Sequence, residues 1–218
     1  MFRKVFLLRK VIEMSRDEWS GAGRTSGIDD PFRSLNEKIR SCTRCPLSQS
    51  RTIAVPGEGP ARADILLIGE APGRDEDRAG RPFVGRAGSI LDGCLKDAGI
   101  DRFRVFITNV VKCRPPENRR PKREEMEACR AYLESQIELL QPKVVILMGN
   151  AAARAVLNAE GVAGLRGRFF EDRFMVTFHP AAVLRNRNLK QALVSDLLSA
   201  RDKAEGRGAE GPGDLQQG

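Results

Sequence analysis

Short apolar runs alternate with amphipathic segments along the middle of the chain. Three runs dominated by Val, Ile and Leu predict buried parallel strands over Asp64–Ile68, Val105–Val111 and Val144–Met148. Four segments have apolar residues at helical spacing, and they predict helices over Ala87–Ala98, Arg123–Leu140, Ala151–Leu157 and Leu189–Lys203. Phe169–Phe170 with Phe174–Phe178 predicts a hairpin or a pair of strands.

This order of elements predicts the fold class. Strands that alternate with helices imply right-handed crossovers and a mostly parallel sheet covered on both faces, so the class is α/β with about four strands. The chain has 218 residues, 41% of them hydrophobic, enough for one core. We therefore expect one domain over residues 29–204, with residues 1–28 and 205–218 disordered. Met14 offers a second start within the first of these segments.

The charge of the chain narrows the choice of partner. A formal net charge of +8 favours a polyanion over a neutral metabolite. Excess charge can also serve solubility alone, but here it is clustered in two stretches, Lys112–Arg123 and Arg185–Lys190. No apolar run is long enough to span a bilayer, and the short Phe6–Leu8 run does not fit a signal peptide. We expect a cytoplasmic monomer without a membrane partner.

Four of the five cysteines pair by spacing. Cys42 and Cys45 form a Cys-x-x-Cys motif, and Cys113 and Cys129 flank the proline-rich loop. Four thiolates brought together suit zinc or an iron-sulfur cluster, and their softness does not separate the two. The alternative is four buried free cysteines. Cys94, on the apolar face of a predicted helix, is interpreted as a core residue.

Three side chains stand at or just beyond the carboxyl ends of predicted strands. Phe83 lies in the Gly- and Pro-rich loop after the first strand, Asn109 ends the second, and His179 follows the last strand. Each has an ordinary explanation as a core or hydrogen-bonded structural residue. However, loops at the carboxyl ends of parallel strands meet at one rim, where α/β sheets bind ligands. An aromatic ring, an amide and an imidazole around one pocket suit an extruded nucleobase.

Four ordered motifs carry a resemblance to a known family. The first three are Gly69-Glu70-Ala71-Pro72-Gly73 with Gly80-Arg81-Pro82-Phe83-Val84-Gly85, then Ile107-Thr108-Asn109-Val110-Val111-Lys112-Cys113-Arg114-Pro115-Pro116, then His179-Pro180-Ala181-Ala182-Val183-Leu184-Arg185-Asn186. With the four cysteines as the fourth, they resemble the family 4 uracil-DNA glycosylases. The resemblance runs from about Cys42 to about Lys203. It implies a three-layer α/β/α sandwich and hydrolysis of the N-glycosidic bond of deoxyuridine in DNA, which leaves an abasic site.

The resemblance also implies roles for site residues. Phe83 would stack on the uracil, Asn109 would read its O4 and N3 edge, and His179 would donate to O2. Glu76 would lie near C5 and help to exclude thymine. Further residues would line the substrate pocket (Ala71, Gly73), contact DNA (Arg114, Arg119, Arg120, Leu184, Arg185) or hold a structural 4Fe-4S cluster, with zinc as the alternative metal (Cys42, Cys45, Cys113, Cys129).

Ala71 departs from better-known members of the superfamily, which have an aspartate there that orients water. The hydrolytic water would then be held by main chain or by Glu70, Glu76 or Asn118, and the sequence does not choose among them. Since none of the residues assigned to the site is a lysine, we expect a monofunctional enzyme without a lyase step. The alternatives are a relative that becomes covalently trapped on uracil-containing DNA, a non-catalytic nucleic-acid-binding or polymerase-associated domain, and a zinc-stabilised nucleotide-binding protein.

Overall fold

Within residues 31–207, the part of the chain that the computed structural model describes, five strands form one sheet. They are β1 (Ile65–Gly69), β2 (Phe106–Asn109), β3 (Val144–Met148), β4 (Phe169–Phe170) and β5 (Phe174–Thr177). Their order across the sheet is β2-β1-β3-β5-β4. Strands β2, β1, β3 and β5 run parallel to one another, and β4 pairs antiparallel with β5. The mostly parallel sheet and its terminal hairpin are thus confirmed.

The helices of the described residues cover both faces of this sheet. They are α1 (Pro31–Arg40), α2 (Leu47–Ser50), α3 (Arg74–Ala79), α4 (Arg86–Asp97), α5 (Arg123–Leu140), α6 (Asn150–Leu157), α7 (Val162–Leu165), α8 (Pro180–Arg185) and α9 (Leu189–Ala204). Short 3-10 turns occur at Arg102–Arg104 and Pro116–Asn118. None of the described helices is long and apolar enough to cross a membrane.

Successive residues of each strand enter different cores, because side chains in a strand alternate between the two faces. On β1, Leu66 and Ile68 pack with α1, α5 and α6, whereas Leu67 packs with α4 and α9. All five residues of β1 and of β3 are buried, as expected for strands covered on both sides. The result is the expected three-layer α/β/α sandwich.

The second strand is shorter than its apolar run. The run predicts a strand to Val111, but β2 ends at Asn109, opposite the last residue of β1, Gly69. Val110 and Val111 remain buried and donate main-chain hydrogen bonds to Gly69 and to the residue after it. The burial of these two valines is what made the strand look longer. The disorder expected for residues 1–28 lies outside the described residues, as does that of residues 208–218.

Candidate functional site

The carboxyl ends of the strands bring Phe83, Asn109 and His179 to one place. Asn109 ends β2 beside Gly69 of β1. A Cβ atom on Gly69 would clash with Asn109 Oδ1 and would lie 2.6 Å from Phe83 Cζ, so both side chains reach over this glycine. The ring centroids of Phe83 and His179 are 5.6 Å apart. The three side chains therefore lie next to one another at the carboxyl edge of the sheet.

Phe83 stands on strained backbone. Its φ is +52°, in the left-handed region that residues other than glycine seldom adopt, at a cost on the order of 1–3 kcal/mol. The side chain is 5% exposed. A Cβ on Gly88 of α4 would overlap the Phe83 carbonyl oxygen, so the helix backbone lies directly against that of Phe83. Strain of this kind is typical of ligand-binding positions.

Glu76 holds the loop that carries Phe83. One carboxylate oxygen accepts from the main-chain N–H groups of Val84 and Gly85 at 3.0 and 2.9 Å, and the other accepts from Gly73 at 3.0 Å. The side chain is buried as the third residue of α3. Because both oxygens are engaged, the described structure shows Glu76 as a residue that shapes the loop.

Asn109 presents an unpaired acceptor. The residue is 1% exposed, and its Oδ1 has no hydrogen-bond partner among the described residues. A buried acceptor without a partner costs about 1–3 kcal/mol, so it marks a position where a ligand donor would be stabilising. Because a side-chain amide also has N–H donors, Asn109 can accept from and donate to one planar ligand edge.

His179 presents an uncharged donor. It caps α8, where its Nδ1 accepts from the main-chain N–H of Ala181 at 3.1 Å. The proton of a neutral imidazole must then lie on Nε2, which is buried without a partner in the described structure. Burial, assisted by the positive charge of Arg185, lowers the pKa of His179 to about 4. At neutral pH the ring therefore offers the pocket one N–H and no net charge.

The stretch that carries these side chains matches a known family, whose model is described as "Uracil DNA glycosylase superfamily" and covers residues 56–199. The chain belongs to the uracil-DNA glycosylase superfamily. It is 45% identical over 178 residues to the Type-4 uracil-DNA glycosylase of Pyrobaculum aerophilum, covering 76% of this chain and 91% of that protein. The corresponding proteins of Sulfurisphaera tokodaii and Thermotoga maritima are 42% and 41% identical, covering 80% and 79% of this chain and 86% and 95% of the relatives. The resemblance predicted from the motifs is confirmed.

Glu70 and Asn118 are the other two side chains that were considered, with Glu76, as holders of the hydrolytic water. Glu70 directly follows β1 and is half-buried. Burial raises the pKa of its carboxyl group, while Arg120, Arg154 and Arg185 oppose the rise. Its carboxylate makes no hydrogen bond to another described residue. Asn118, by contrast, is exposed, and its Oδ1 accepts from Arg114 Nε at 2.7 Å. Ala71 and Gly73 are half-buried in the same loop as Glu70.

The residues predicted to contact DNA differ in how freely their side chains can reach a phosphate. Leu184 and Arg185 are exposed at the end of α8, whose other end carries His179, and Arg120 is exposed in the proline-rich loop. Arg119 instead forms a two-point ion pair with the buried Glu125, at 2.5 and 2.9 Å. In the described structure Arg119 therefore fixes its loop to α5.

All four cysteines of the spacing pattern line one cavity. Two of their sulfurs accept hydrogen bonds: Cys113 from Arg51 Nη1 at 3.1 Å, and Cys42 from a main-chain N–H at 3.4 Å. Burial raises the pKa of the Cys113 thiol, and it raises that of Cys129 to about 11. Cys94 is buried in the other core, as predicted.

The arrangement of the cysteines bears on which metal group they could hold. Among residues 31–207, no three His, Cys, Asp or Glu side chains are close enough to hold one metal ion. Zinc would need each sulfur about 2.3 Å from a common centre. A multi-iron cluster binds each thiolate through a different iron, so the sulfurs lie farther apart. The cationic side chains of Arg44 and Arg51 at the cavity wall suit an anionic thiolate set.

Sequence reasoning missed several residues that shape the site. Gly69, Gly88 and Gly149 each permit a close approach, Gly149 because a Cβ there would lie 3.1 Å from His179 Cβ. Lys112 was predicted as part of the basic stretch Lys112–Arg123 that favours a polyanion, and for this side chain the prediction was wrong because it is buried. Burial lowers its pKa to about 7, and its Nζ donates three hydrogen bonds to buried acceptors inside the protein. Lys112 is therefore not placed to act as a lyase nucleophile.

Proposed function

We propose that this protein removes uracil from DNA by hydrolysing the N-glycosidic bond of deoxyuridine. The observation that carries the proposal is the pair of buried, unpartnered polar atoms, Asn109 Oδ1 and His179 Nε2, beside the Phe83 ring. They offer an acceptor and a donor to one flat ring of the size of a pyrimidine. The type-4 relatives, which are named for this activity, support the same function.

The amide of Asn109 selects the base. Its Oδ1 accepts from uracil N3–H, and its N–H donates to uracil O4. Cytosine presents the reverse pattern, an acceptor at N3 and a donor at C4, so it leaves both polar groups of the amide unpaired. A site built around such polar groups discriminates strongly, because the mismatched ligand strands buried partners. Phe83 supplies the face on which the extruded base stacks.

His179 stabilises the departing base. As the glycosidic bond breaks, negative charge collects on uracil and positive charge on the sugar. An Nε2–H donor at uracil O2 strengthens its hydrogen bond as that charge grows, so it favours the transition state over the ground state. A neutral imidazole does so without adding a positive charge next to the cationic sugar. Removing one such donor typically costs on the order of 10² to 10³ in rate.

We assign the hydrolytic water to Glu70. Among the three side chains considered, Glu76 has both oxygens engaged and Asn118 accepts from Arg114, whereas the Glu70 carboxylate remains for a ligand. Its position directly after β1, next to Gly69, supports this assignment. A carboxylate there can accept a proton from water and stabilise positive charge on the sugar.

DNA binding is assigned to the tip of α8 and the proline-rich loop. Leu184 is 38% exposed, and it would fill the space that the base vacates in the duplex stack. Arg185, Arg120 and Arg114 would contact phosphates. Extrusion of a base costs a few kcal/mol, which these contacts offset. A monomeric state and a cytoplasmic location stay predictions.

The four cysteines would hold a 4Fe-4S cluster with an architectural role. When bound, the cluster supplies a covalent tie between the segment of Cys42 and Cys45 and the loop of Cys113, which leads into α5 with Cys129. Zinc is the alternative. Iron and zinc content of the purified protein, with absorption near ~400 nm as expected of thiolate-bound iron clusters, separates the two.

An oligonucleotide assay tests the function. Duplex and single-stranded substrates with one uracil, thymine or hypoxanthine are incubated with the protein, and abasic sites are revealed as alkali-labile nicks. The expected result is nicking at uracil.

The matched variant is His179→Asn, since asparagine can still cap α8 but cannot place a donor where Nε2 lies. It should bind uracil-containing DNA yet excise at a rate lower by on the order of 10² or more. Binding without release by the unaltered protein would favour a non-catalytic domain, and an alkali-stable covalent adduct would favour the trapping relative.

A further inference from the structure

A buried lysine contacts the main chain of Asn109. Lys112 is 1% exposed. Its Nζ donates to Thr108 Oγ1 at 2.7 Å, to the Asn109 carbonyl oxygen at 2.7 Å and to Gln136 Oε1 at 2.6 Å. In its charged form the amine has three N–H donors, so every donor is used inside the protein.

The acceptors of Lys112 are themselves fixed. Gln136 projects from α5, and its Nε2 donates to the Pro56 carbonyl oxygen at 2.7 Å. Thr108 Oγ1 donates to the same oxygen, also at 2.7 Å. Thr108 and Gln136 are both fully buried. A fully satisfied polar network in a core holds its members in one arrangement, because any displacement leaves buried groups unpaired.

The network determines the orientation of the peptide that follows Asn109. The carbonyl of that peptide accepts from Lys112 Nζ, while its N–H, from Val110, donates to the Gly69 carbonyl oxygen at 3.0 Å. Both polar ends of the peptide are therefore held where β2 ends and regular strand pairing stops. Without the ammonium, the carbonyl would be buried and unpaired, and the peptide would be freer to rotate.

We propose that Lys112 is a positioning residue for base recognition, whose three hydrogen bonds hold the backbone of Asn109 so that the amide meets the edge of uracil. This inference rests on the proposed function for the identity of the base. Lys112 acts through Asn109 and does not touch the substrate.

A double-mutant design tests this role. Lys112→Met removes the donors at similar length, and Thr108→Val removes one acceptor with an isosteric side chain. Lys96→Met, on the exposed face of α4, is the matched control. Each change is made in the unaltered protein and in Asn109→Ala, and single-turnover excision from a uracil oligonucleotide is measured with the thermal midpoint and the iron content. If Lys112→Met does not fold, Thr108→Val carries the test.

The expected result is a loss that depends on Asn109. Lys112→Met should lower the rate at least tenfold, and Thr108→Val severalfold, in the unaltered protein, but each by less than twofold in Asn109→Ala, since residues that act as one unit are not additive. An equal loss in both backgrounds, or no loss in either, overturns the proposal.

A spectroscopic measurement separates this proposal from the proposed function. The side-chain amide signals of Asn109 are assigned by ¹⁵N NMR from their absence in Asn109→Ala. They should shift in Lys112→Met and stay in place in Lys96→Met. Unshifted signals contradict the role of Lys112 whether or not the protein releases uracil, whereas shifted signals without uracil release by the unaltered protein refute only the proposed function.

Discussion

The state of His179 gives a sharp prediction of pH dependence. The pKa of this residue lies at about 4 in the folded protein, against 6.5 for an ordinary histidine. Between these values the unfolded chain binds a proton that the folded protein does not, so the free energy of unfolding falls as the pH falls from 6.5 to about 4. At about 1.4 kcal/mol per pKa unit, the loss is at most about 3.5 kcal/mol. Above pH 6.5 the contribution of His179 no longer changes.

The test uses the fact that the chain has one histidine. In tag-free protein, the His179 Cε1–H gives a single NMR signal whose titration reports the folded pKa directly. Urea unfolding at several pH values between 4 and 7 measures the stability, and His179→Asn is the reference because asparagine does not titrate. The difference between the two proteins removes the contribution of carboxyl groups such as Glu70, whose raised pKa also affects this range.

The rate of uracil excision should also depend on the protonation of His179. The rate should show no inflection near pH 6.5 from His179 and should fall near pH 4, where protonation of Nδ1 breaks its hydrogen bond from Ala181. A His179 signal that titrates near 6.5, or a stability difference that does not change with pH, would refute a buried neutral donor.

Three further predictions concern base recognition, crowding and DNA contact. Asn109→Asp removes the donor to O4 and should lower uracil excision at least tenfold, because a buried polar atom of the base loses its partner; full activity in the oligonucleotide assay would remove Asn109 from the pocket. Gly69→Ala, which crowds Phe83 and Asn109, should slow excision on the order of 10²-fold, since small misplacements of reacting groups are costly. The control is Gly93→Ala, where a Cβ meets nothing within 4 Å. This variant should keep full activity and gain up to about 1 kcal/mol of stability. If about three arginines contact phosphates, binding to DNA in a salt titration should weaken roughly fortyfold between 50 and 200 mM salt, and a flat response would contradict these contacts.

Much of the fold could be predicted because its signals are local. The helix Arg123–Leu140 and the strand Val144–Met148 were predicted with the observed bounds, since Pro142 and the change of periodicity separate them. The end of β2 could not be predicted in the same way. It depends on where the neighbouring strand stops, and buried valines continue beyond that point.

In the candidate site too, some features follow from local sequence and others depend on tertiary contacts. The sequence predicted that Phe83, Asn109 and His179 lie together, because the carboxyl ends of parallel strands meet at one edge of the sheet. The role of Glu76 depends on closure of its loop, and that of Arg119 depends on the buried Glu125. Neither follows from spacing in sequence. The same holds for His179, because Nε2 is identified as the hydrogen-bond donor only through the hydrogen bond that Nδ1 accepts from Ala181.

The contact between Gly88 and Phe83 has a mechanical consequence. Because the carbonyl of Phe83 rests on the helical backbone at Gly88, the Phe83 backbone cannot move towards α4 unless the helix moves too. Helix α4 packs in turn on α8, which begins at His179 and ends at Arg185. In the proposed function, the residue that stacks on the base, the hydrogen-bond donor to the base and the residue that enters the duplex would therefore be carried by directly contacting segments, so a shift of α8 on DNA would displace the base-binding residues as well.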